Sequence, residues 1–123
     1  MKDERREHYF RKLTIWQRSM AYTVKIYALT STFPKSEQFG LIDQLRRATT
    51  SIALNIAEGS GAGSDVEFIR FLHIAKRSGY EVVTGLEVAK NLRYSSAQKI
   101  DECIMEAQEI CAMIVGFIRK LHS

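Results

Sequence analysis

The stretch from Phe33 to Gly59 constrains the fold of this chain more than any other. It contains the only proline of the sequence and then continues without a break as a helical pattern. Proline cannot continue a helix, so one helix must end before it and another must begin after it. We expect Ser36 to cap the second helix, apolar spacing to carry it over Gln38 to Glu58, and Gly59 to act as its C-cap.

The scarcity of turn-forming residues extends this conclusion to the whole chain. With one proline and seven glycines in 123 residues, the sequence favours a few long helices. A chain of this length buries roughly two-thirds of the surface that it exposes when unfolded, so we expect a single domain over residues 1–123. Residues 1–12 are predicted to form a charged, frayed leader.

The first predicted helix runs from Leu13 to Thr30 and has two apolar stripes on opposite sides. The stripe that we assign to the core consists of Leu13, Trp16, Met20, Val24 and Tyr27. The second stripe consists of Ile15, Tyr22, Ile26 and Leu29. A helix with two apolar faces is expected to be covered on both, so the second stripe predicts contact with another subunit.

Two further helices complete the pattern. The third is predicted to begin after Ser64, whose spacing to Glu67 fits a capping box. After a turn over residues 91–96, the fourth continues to Leu121 with one apolar and one acidic face. Four helices joined by short connections predict an all-α fold, an up-and-down antiparallel four-helix bundle.

Charged and apolar residues alternate on the outer sides of the second and third helices. We expect Arg47 and Arg77 to pair with Glu58 and Glu81 of neighbouring copies. The apolar residues expected in the same contact are Leu54, Ile74, Val88 and Leu92. Left uncovered, they would form patches that a monomer rarely exposes, so they predict self-association.

The sequence lacks the residue patterns of an enzyme. Di-metal bundles use Glu-x-x-His motifs, and no histidine of this chain has an acidic residue three positions before it. Cys103 and Cys111 are expected on the core stripe of one helix, about 12 Å apart, which is beyond disulfide reach. The glycine-rich residues 59–63 have no strand before them, so we interpret them as a connector and not as a phosphate loop. We expect no catalysis, no cofactor and no metal.

No targeting or membrane segment is expected. The amino terminus lacks the apolar core of a signal peptide. The apolar run Ile110 to Ile118 is far shorter than the roughly 20 residues that a membrane helix needs. We therefore expect a cytoplasmic protein with no membrane partner.

Several short motifs resemble one known family. They are Gln44-Leu45-Arg46-Arg47-Ala48, Asn55-Ile56-Ala57-Glu58-Gly59, the pair Phe33-Pro34 with Glu37, and the pairs Glu67-Phe68, Phe71-Leu72 and Ile74-Ala75. With this spacing the chain resembles the small four-helix-bundle proteins encoded in intervening sequences of bacterial 23S rRNA genes. Arg77-Ser78-Gly79 departs from the family pattern, which usually has Gly-Ser followed by an apolar residue.

The resemblance implies an up-and-down bundle that assembles into a homopentamer. It also implies similarity to accessory proteins of diversity-generating retroelements, which bind nucleic acid. It implies no established activity for the intervening-sequence proteins themselves.

Two functions are compatible with these observations. Residues 1–25 contain seven basic and three acidic residues, which accounts for the whole net charge of +4. Basic side chains bind phosphate, and a ring would repeat each contact. The residues that we expect to contact RNA or DNA are Arg18, Lys25, Arg46 and Lys76. The alternative is a self-assembling scaffold that binds a protein partner and no nucleic acid.

Overall fold

The structure, a computed structural model, describes residues 9–122 and places four α-helices around one apolar core. The helices are α1 (Thr14–Thr30), α2 (Leu41–Ser60), α3 (Asp65–Asn91) and α4 (Ala97–His122). Short 3-10 turns occur at Tyr9–Lys12 and Lys35–Glu37. Of the predicted leader, residues 1–8 lie outside the described part of the chain.

The four helices form the predicted all-α, up-and-down four-helix bundle. Helix α3 packs against α2 and α4, and α1 packs mainly against α2 and more lightly against α4. The largest fully buried side chains come from all four helices and include Tyr22, Leu45, Ile56, Leu72, Leu86, Ile100 and Ile110. Helices α2, α3 and α4 bury the stripes that their periodicity predicts, because each has a charged side opposite its apolar side.

Over most of α1 the side that faces the core is the reverse of the one predicted, although Leu13 is buried and Trp16 packs against the core as predicted. The four residues predicted to contact another subunit are at most 8 % exposed and belong to the core, namely Ile15, Tyr22, Ile26 and Leu29. Three residues of the predicted core stripe are 43, 69 and 44 % exposed, namely Met20, Val24 and Tyr27. The four buried residues of the second stripe therefore cannot form a contact between copies. The prediction that they contact another subunit is wrong.

Small hydroxyl residues on the Tyr22 side of α1 allow that side to be buried. Ser19 and Thr30 are fully buried. The Oγ of Ser19 donates to the carbonyl of Ile15 at 2.6 Å, and Oγ1 of Thr30 donates to the carbonyl of Ile26 at 2.7 Å. Because these hydroxyls are satisfied within their own helix, they can enter the core without an unpaired polar group.

Glu37 stabilises the connection between α1 and α2 through hydrogen bonds. Its carboxylate accepts hydrogen bonds from the backbone N–H of Leu41 at 3.1 Å and from the phenol of Tyr94 at 2.7 Å. The ring of Phe33 packs on that of Tyr94, with centroids 5.6 Å apart. The N-cap residue of α2 is Gly40, and Glu37 pairs with the N–H of the first helical residue, so the prediction that Ser36 caps this helix is wrong.

We expect the contribution of Glu37 to stability to depend on pH. Its hydrogen bonds, the one from Tyr94 first, lower the pKa of this carboxyl from its ordinary value. A carboxyl with a lowered folded-state pKa stabilises the fold above its unfolded-state pKa, and this contribution is lost as the pH falls through the folded-state pKa. The stability of the wild type should exceed that of Glu37→Gln at neutral pH, and the difference should shrink below about pH 4.

Urea unfolding of both proteins across this pH range measures the effect, with Glu102→Gln as an exposed control on α4. A difference between wild type and Glu37→Gln that does not change with pH would contradict the role of the charge.

The connection between α2 and α3 depends on a close approach of the two helices. Gly59 lies buried inside α2, and a Cβ built there would be 2.8 Å from Cβ of Phe71 and 2.9 Å from Cδ1 of Phe68. Gly61 occupies the C-cap position, so the predicted C-cap role of Gly59 is wrong. Helix α3 begins as predicted, because Oγ of Ser64 accepts a hydrogen bond from the N–H at position 67.

Candidate functional site

Two of the basic residues predicted to contact nucleic acid lie in the seam between α1 and α4, where acidic residues pair with them. Arg18 lies 2.9 Å from Oε2 of Glu109 and 3.8 Å from Oε2 of Glu106. Lys25 lies 2.8 Å from Oε1 of Glu106, and this hydrogen bond raises the pKa of the lysine. Two positive charges thus face two negative ones, which leaves little net attraction for a phosphate at this seam.

Arg46 is held at the carboxyl end of α1. Its Nε donates to Oγ1 of Thr30 at 2.9 Å, and one terminal nitrogen donates to the carbonyl of Tyr27 at 3.2 Å. The guanidinium also lies 4.6 Å above the ring of Tyr27. A cation at this end of a helix is favoured by the helix dipole, so Arg46 has a structural role in joining α1 to α2.

Lys76 is half-buried on α3 and differs from the other three. Within residues 9–122 its ammonium forms neither an ion pair nor a hydrogen bond, whereas Arg18 and Lys25 form ion pairs and Arg46 donates hydrogen bonds. The structure does not bring the four predicted residues into one patch, because Arg18 and Lys25 lie between α1 and α4, Arg46 between α1 and α2, and Lys76 on α3.

The two cysteines are free and poorly suited to nucleophilic chemistry. Burial raises the pKa of both the Cys103 and the Cys111 thiols, which disfavours the reactive thiolate. Gly79 of α3 leaves room for the side chain of Cys111, because a Cβ at position 79 would overlap Sγ of Cys111. The thiol of Cys111 also donates to the carbonyl of Lys76 at 3.8 Å. This cysteine therefore has a packing role where α3 and α4 meet.

Residues 9–122 contain no group of three or more histidine, cysteine, aspartate or glutamate side chains that could hold a metal ion. His8, the histidine nearest the amino terminus, lies outside this range.

The remaining residues predicted to self-associate lie on the outer sides of α2 and α3, which we call the α2–α3 face. Leu54, Val88 and Leu92 are 54, 43 and 51 % exposed, and Ile74 is half-buried. The charged members of the face are Arg47, Glu58, Arg77 and Glu81, all exposed. Arg47 pairs with Asp43 of its own helix at 3.1 Å. The other three form no ion pair with any residue that the structure describes, so they are available to another molecule.

A hydroxyl and amide cluster joins α2 to α3 beneath this face. Oγ of Ser51 lies 2.9 Å from Oγ of Ser78, and Nδ2 of Asn55 donates to Oγ of Ser51 at 3.0 Å and to its carbonyl at 2.8 Å. Sequence reasoning missed Ser78 as the partner, because the pair is 27 residues apart and lies on different helices.

A groove also lies between α2 and α3, and we call it the α2–α3 groove. Its volume is about 520 Å³, and its lining residues are Leu41, Gln44, Arg77, Tyr80, Glu81, Thr84, Gly85 and Val88. Gly85 lets the helices approach, since a Cβ there would be 2.7 Å from Cδ2 of Leu45. The sequence signal that could have located the groove is this glycine among larger residues on the side of α3 that faces α2.

The exposed apolar residues of α1 form a second surface. Met20, Val24 and Tyr27, which we call the α1 face, point away from the core that holds Tyr22 and Ile26. The bundle therefore has apolar surface on two different sides, one on α1 and one on α2 and α3. Sequence reasoning recognised that α1 has two apolar sides but placed the exposed one in the core.

The fold and these surfaces define a small antiparallel four-helix bundle with exposed apolar side chains on α1, α2 and α3. No helix within residues 9–122 has an apolar stretch long enough to cross a membrane. The sequence profile of the 23S rRNA-intervening sequence protein family matches residues 11–116. The chain therefore belongs to this family, and the resemblance noted from its motifs is confirmed.

The fold is similar to that of a solved protein of unknown function from the S23 ribosomal protein family of Bacteroides thetaiotaomicron VPI-5482. The two share 25 % sequence identity with a TM-score of 0.80, over 85 % of this chain and 98 % of the other. None of the curated proteins matches this sequence.

Proposed function

We propose that this protein is a non-catalytic helical bundle that assembles with copies of itself through the α2–α3 face. The observation that carries the proposal is the combination of exposed apolar side chains with charged residues that have no partner in the described chain. Leu54, Val88 and Leu92 supply the apolar part, and Arg77 and Glu81 supply the charges. Mixed apolar and charged surface of this kind is typical of contacts between proteins.

The resemblance to the intervening-sequence family supports a homopentamer as the assembled form. Two different apolar sides on one bundle also support it, because contacts between unlike surfaces generate rings. The raised thiol pKa values of Cys103 and Cys111 support the absence of nucleophilic catalysis. We place the protein in the cytoplasm, where free thiols stay reduced.

Light scattering and analytical ultracentrifugation test the assembly. We expect the wild type to be a multiple of the 14.1 kDa chain, and Val88→Glu to be monomeric because its charge cannot be buried between copies. Met105→Glu is the matched control, since Met105 is an exposed residue on α4 and away from the α2–α3 face. A wild type that stays monomeric up to its solubility limit would remove the proposal.

A second candidate function is association of the assembled protein with RNA or DNA. Lys76 favours it, because its charge is not balanced by an ion pair in the described chain, and neither is that of the adjacent Arg77. Each copy in an assembly repeats the same charges, which strengthens binding to a polyanion. The name of the family and the ribosomal family of the solved relative make RNA the first nucleic acid to test.

A salt series of RNA and DNA binding tests this candidate. We expect affinity to fall steeply as salt rises, and Lys76→Gln to reduce the slope by about one for each phosphate contact removed. Lys25→Gln is the control, since Lys25 already pairs with Glu106, and it should leave the slope unchanged. Absence of binding at low salt would eliminate nucleic acid and leave the scaffold that binds a protein partner.

A further inference from the structure

We propose that the α1 face of one copy docks into the α2–α3 groove of a second copy. This inference rests on the proposed self-assembly and names the surface that the α2–α3 face contacts. The contact would join two unlike surfaces, so that every copy offers one α1 face and one groove.

The spacing of the α1 face is that of a helix that inserts one side into a groove. Met20, Val24 and Tyr27 follow one another at positions i, i+4 and i+7, which is the anchor pattern of helix-in-groove recognition. At 1.5 Å per residue these anchors span roughly 10 Å, and the α3 wall of the groove from Arg77 to Val88 spans roughly 16 Å. The groove is therefore long enough to receive all three side chains.

The outer side of α1 is almost without charge. Its exposed residues are Thr14, Gln17, Met20, Ala21, Val24, Lys25, Tyr27 and Ala28. Only Lys25 among them is charged, and it pairs with Glu106 at 2.8 Å. At the carboxyl end of this side the guanidinium of Arg46 from α2 lies 4.6 Å above the Tyr27 ring. A helix whose outer side faces water normally carries charges there, so this composition indicates that the side is covered by protein.

The groove matches an uncharged helix. Leu41 and Val88 make its lining apolar, and at Gly85 the side chain of Leu45 already occupies the position that a Cβ would take. Arg77 and Glu81 contribute one positive and one negative charge. These charges cancel, whereas a strongly charged helix would bring a like charge against one of them.

The occupant must be another chain, because α1 cannot reach the groove of its own bundle. Tyr22 and Ile26 on the opposite side of α1 are fully buried, and the Tyr22 hydroxyl donates to the carbonyl of Cys103 on α4 at 2.6 Å. This holds the α1 face outward. A second copy is present wherever the protein is and carries the matching surface, and repeated contacts of this kind close into a ring when the rotation between copies permits.

Complementation between two variants tests the pairing of unlike surfaces. Val24→Glu removes the α1 face but retains the groove, and Val88→Glu blocks the groove but retains the α1 face. We expect the wild type and the control Met105→Glu to assemble, and Val24→Glu and Val88→Glu each to be monomeric alone. An equimolar mixture of Val24→Glu and Val88→Glu should contain a 1:1 heterodimer of twice 14.1 kDa. Circular dichroism confirms that each variant is folded, and light scattering over a concentration series measures the masses.

Three results would overturn the inference, and they separate it from the proposed self-assembly. If Val24→Glu assembles like the wild type while Val88→Glu is monomeric, the α1 face has no part in the contact, although the proposed function stands. If both variants are monomeric and their mixture is too, the intact α1 face of one variant does not dock into the intact groove of the other, and the inference is wrong. A monomeric wild type removes both proposals.

Discussion

Ile26→Ala is expected to lower the free energy of unfolding by about 2–5 kcal/mol, whereas Val24→Ala is expected to change it by less than about 0.5 kcal/mol. The two residues are two positions apart on α1. Ile26 is fully buried, so its truncation removes apolar contacts and leaves a cavity. Val24 is 69 % exposed, so its truncation leaves the core unchanged.

Urea unfolding followed by circular dichroism measures both changes. Introducing each substitution into a Val88→Glu background removes any contribution from assembly, so that the stability of the single bundle is compared. A larger loss for Val24→Ala than for Ile26→Ala would show that α1 faces the core with the stripe that contains Met20, Val24 and Tyr27.

The second large effect on stability is expected for Gly79→Ala, which should lower the free energy of unfolding. A methyl group at this position would overlap Sγ of Cys111, and both residues are buried where α3 and α4 meet. Overpacking of a core costs about 1–3 kcal/mol. Alanine gains at most about 1 kcal/mol over glycine inside a helix, so we expect a net loss of stability.

Two further variants show whether the overlap is the cause. In Gly116→Ala the new methyl meets nothing within 4 Å, so this exposed α4 glycine should give a gain of about 0.5–1 kcal/mol. Cys111→Ala removes the sulfur, so combining it with Gly79→Ala should recover part of the loss, with a coupling energy of about 0.5–3 kcal/mol. A stabilising effect of Gly79→Ala alone would contradict the close approach of α3 and α4.

The charged surfaces show how local and distant information differ. Arg18 and Lys25 looked available for phosphate when only their own helix was considered. Their partners Glu109 and Glu106 are 91 and 81 positions away on α4, and only the packing of α1 on α4 brings them within 2.9 and 2.8 Å. The basic excess near the amino terminus is thus a property of the sequence, and its neutralisation along this seam is a property of the fold.

The sequence by itself determined the four helices and the inward sides of α2, α3 and α4, because helical periodicity and a single apolar stripe are local properties. It also determined the cap at Ser64, whose hydrogen bond reaches only three residues along the chain. The tertiary structure alone decided which side of α1 is buried, because two apolar stripes satisfy the same periodicity equally well. It likewise decided that Glu37 is held by Tyr94, 57 positions away, since such a contact exists only once the helices have packed.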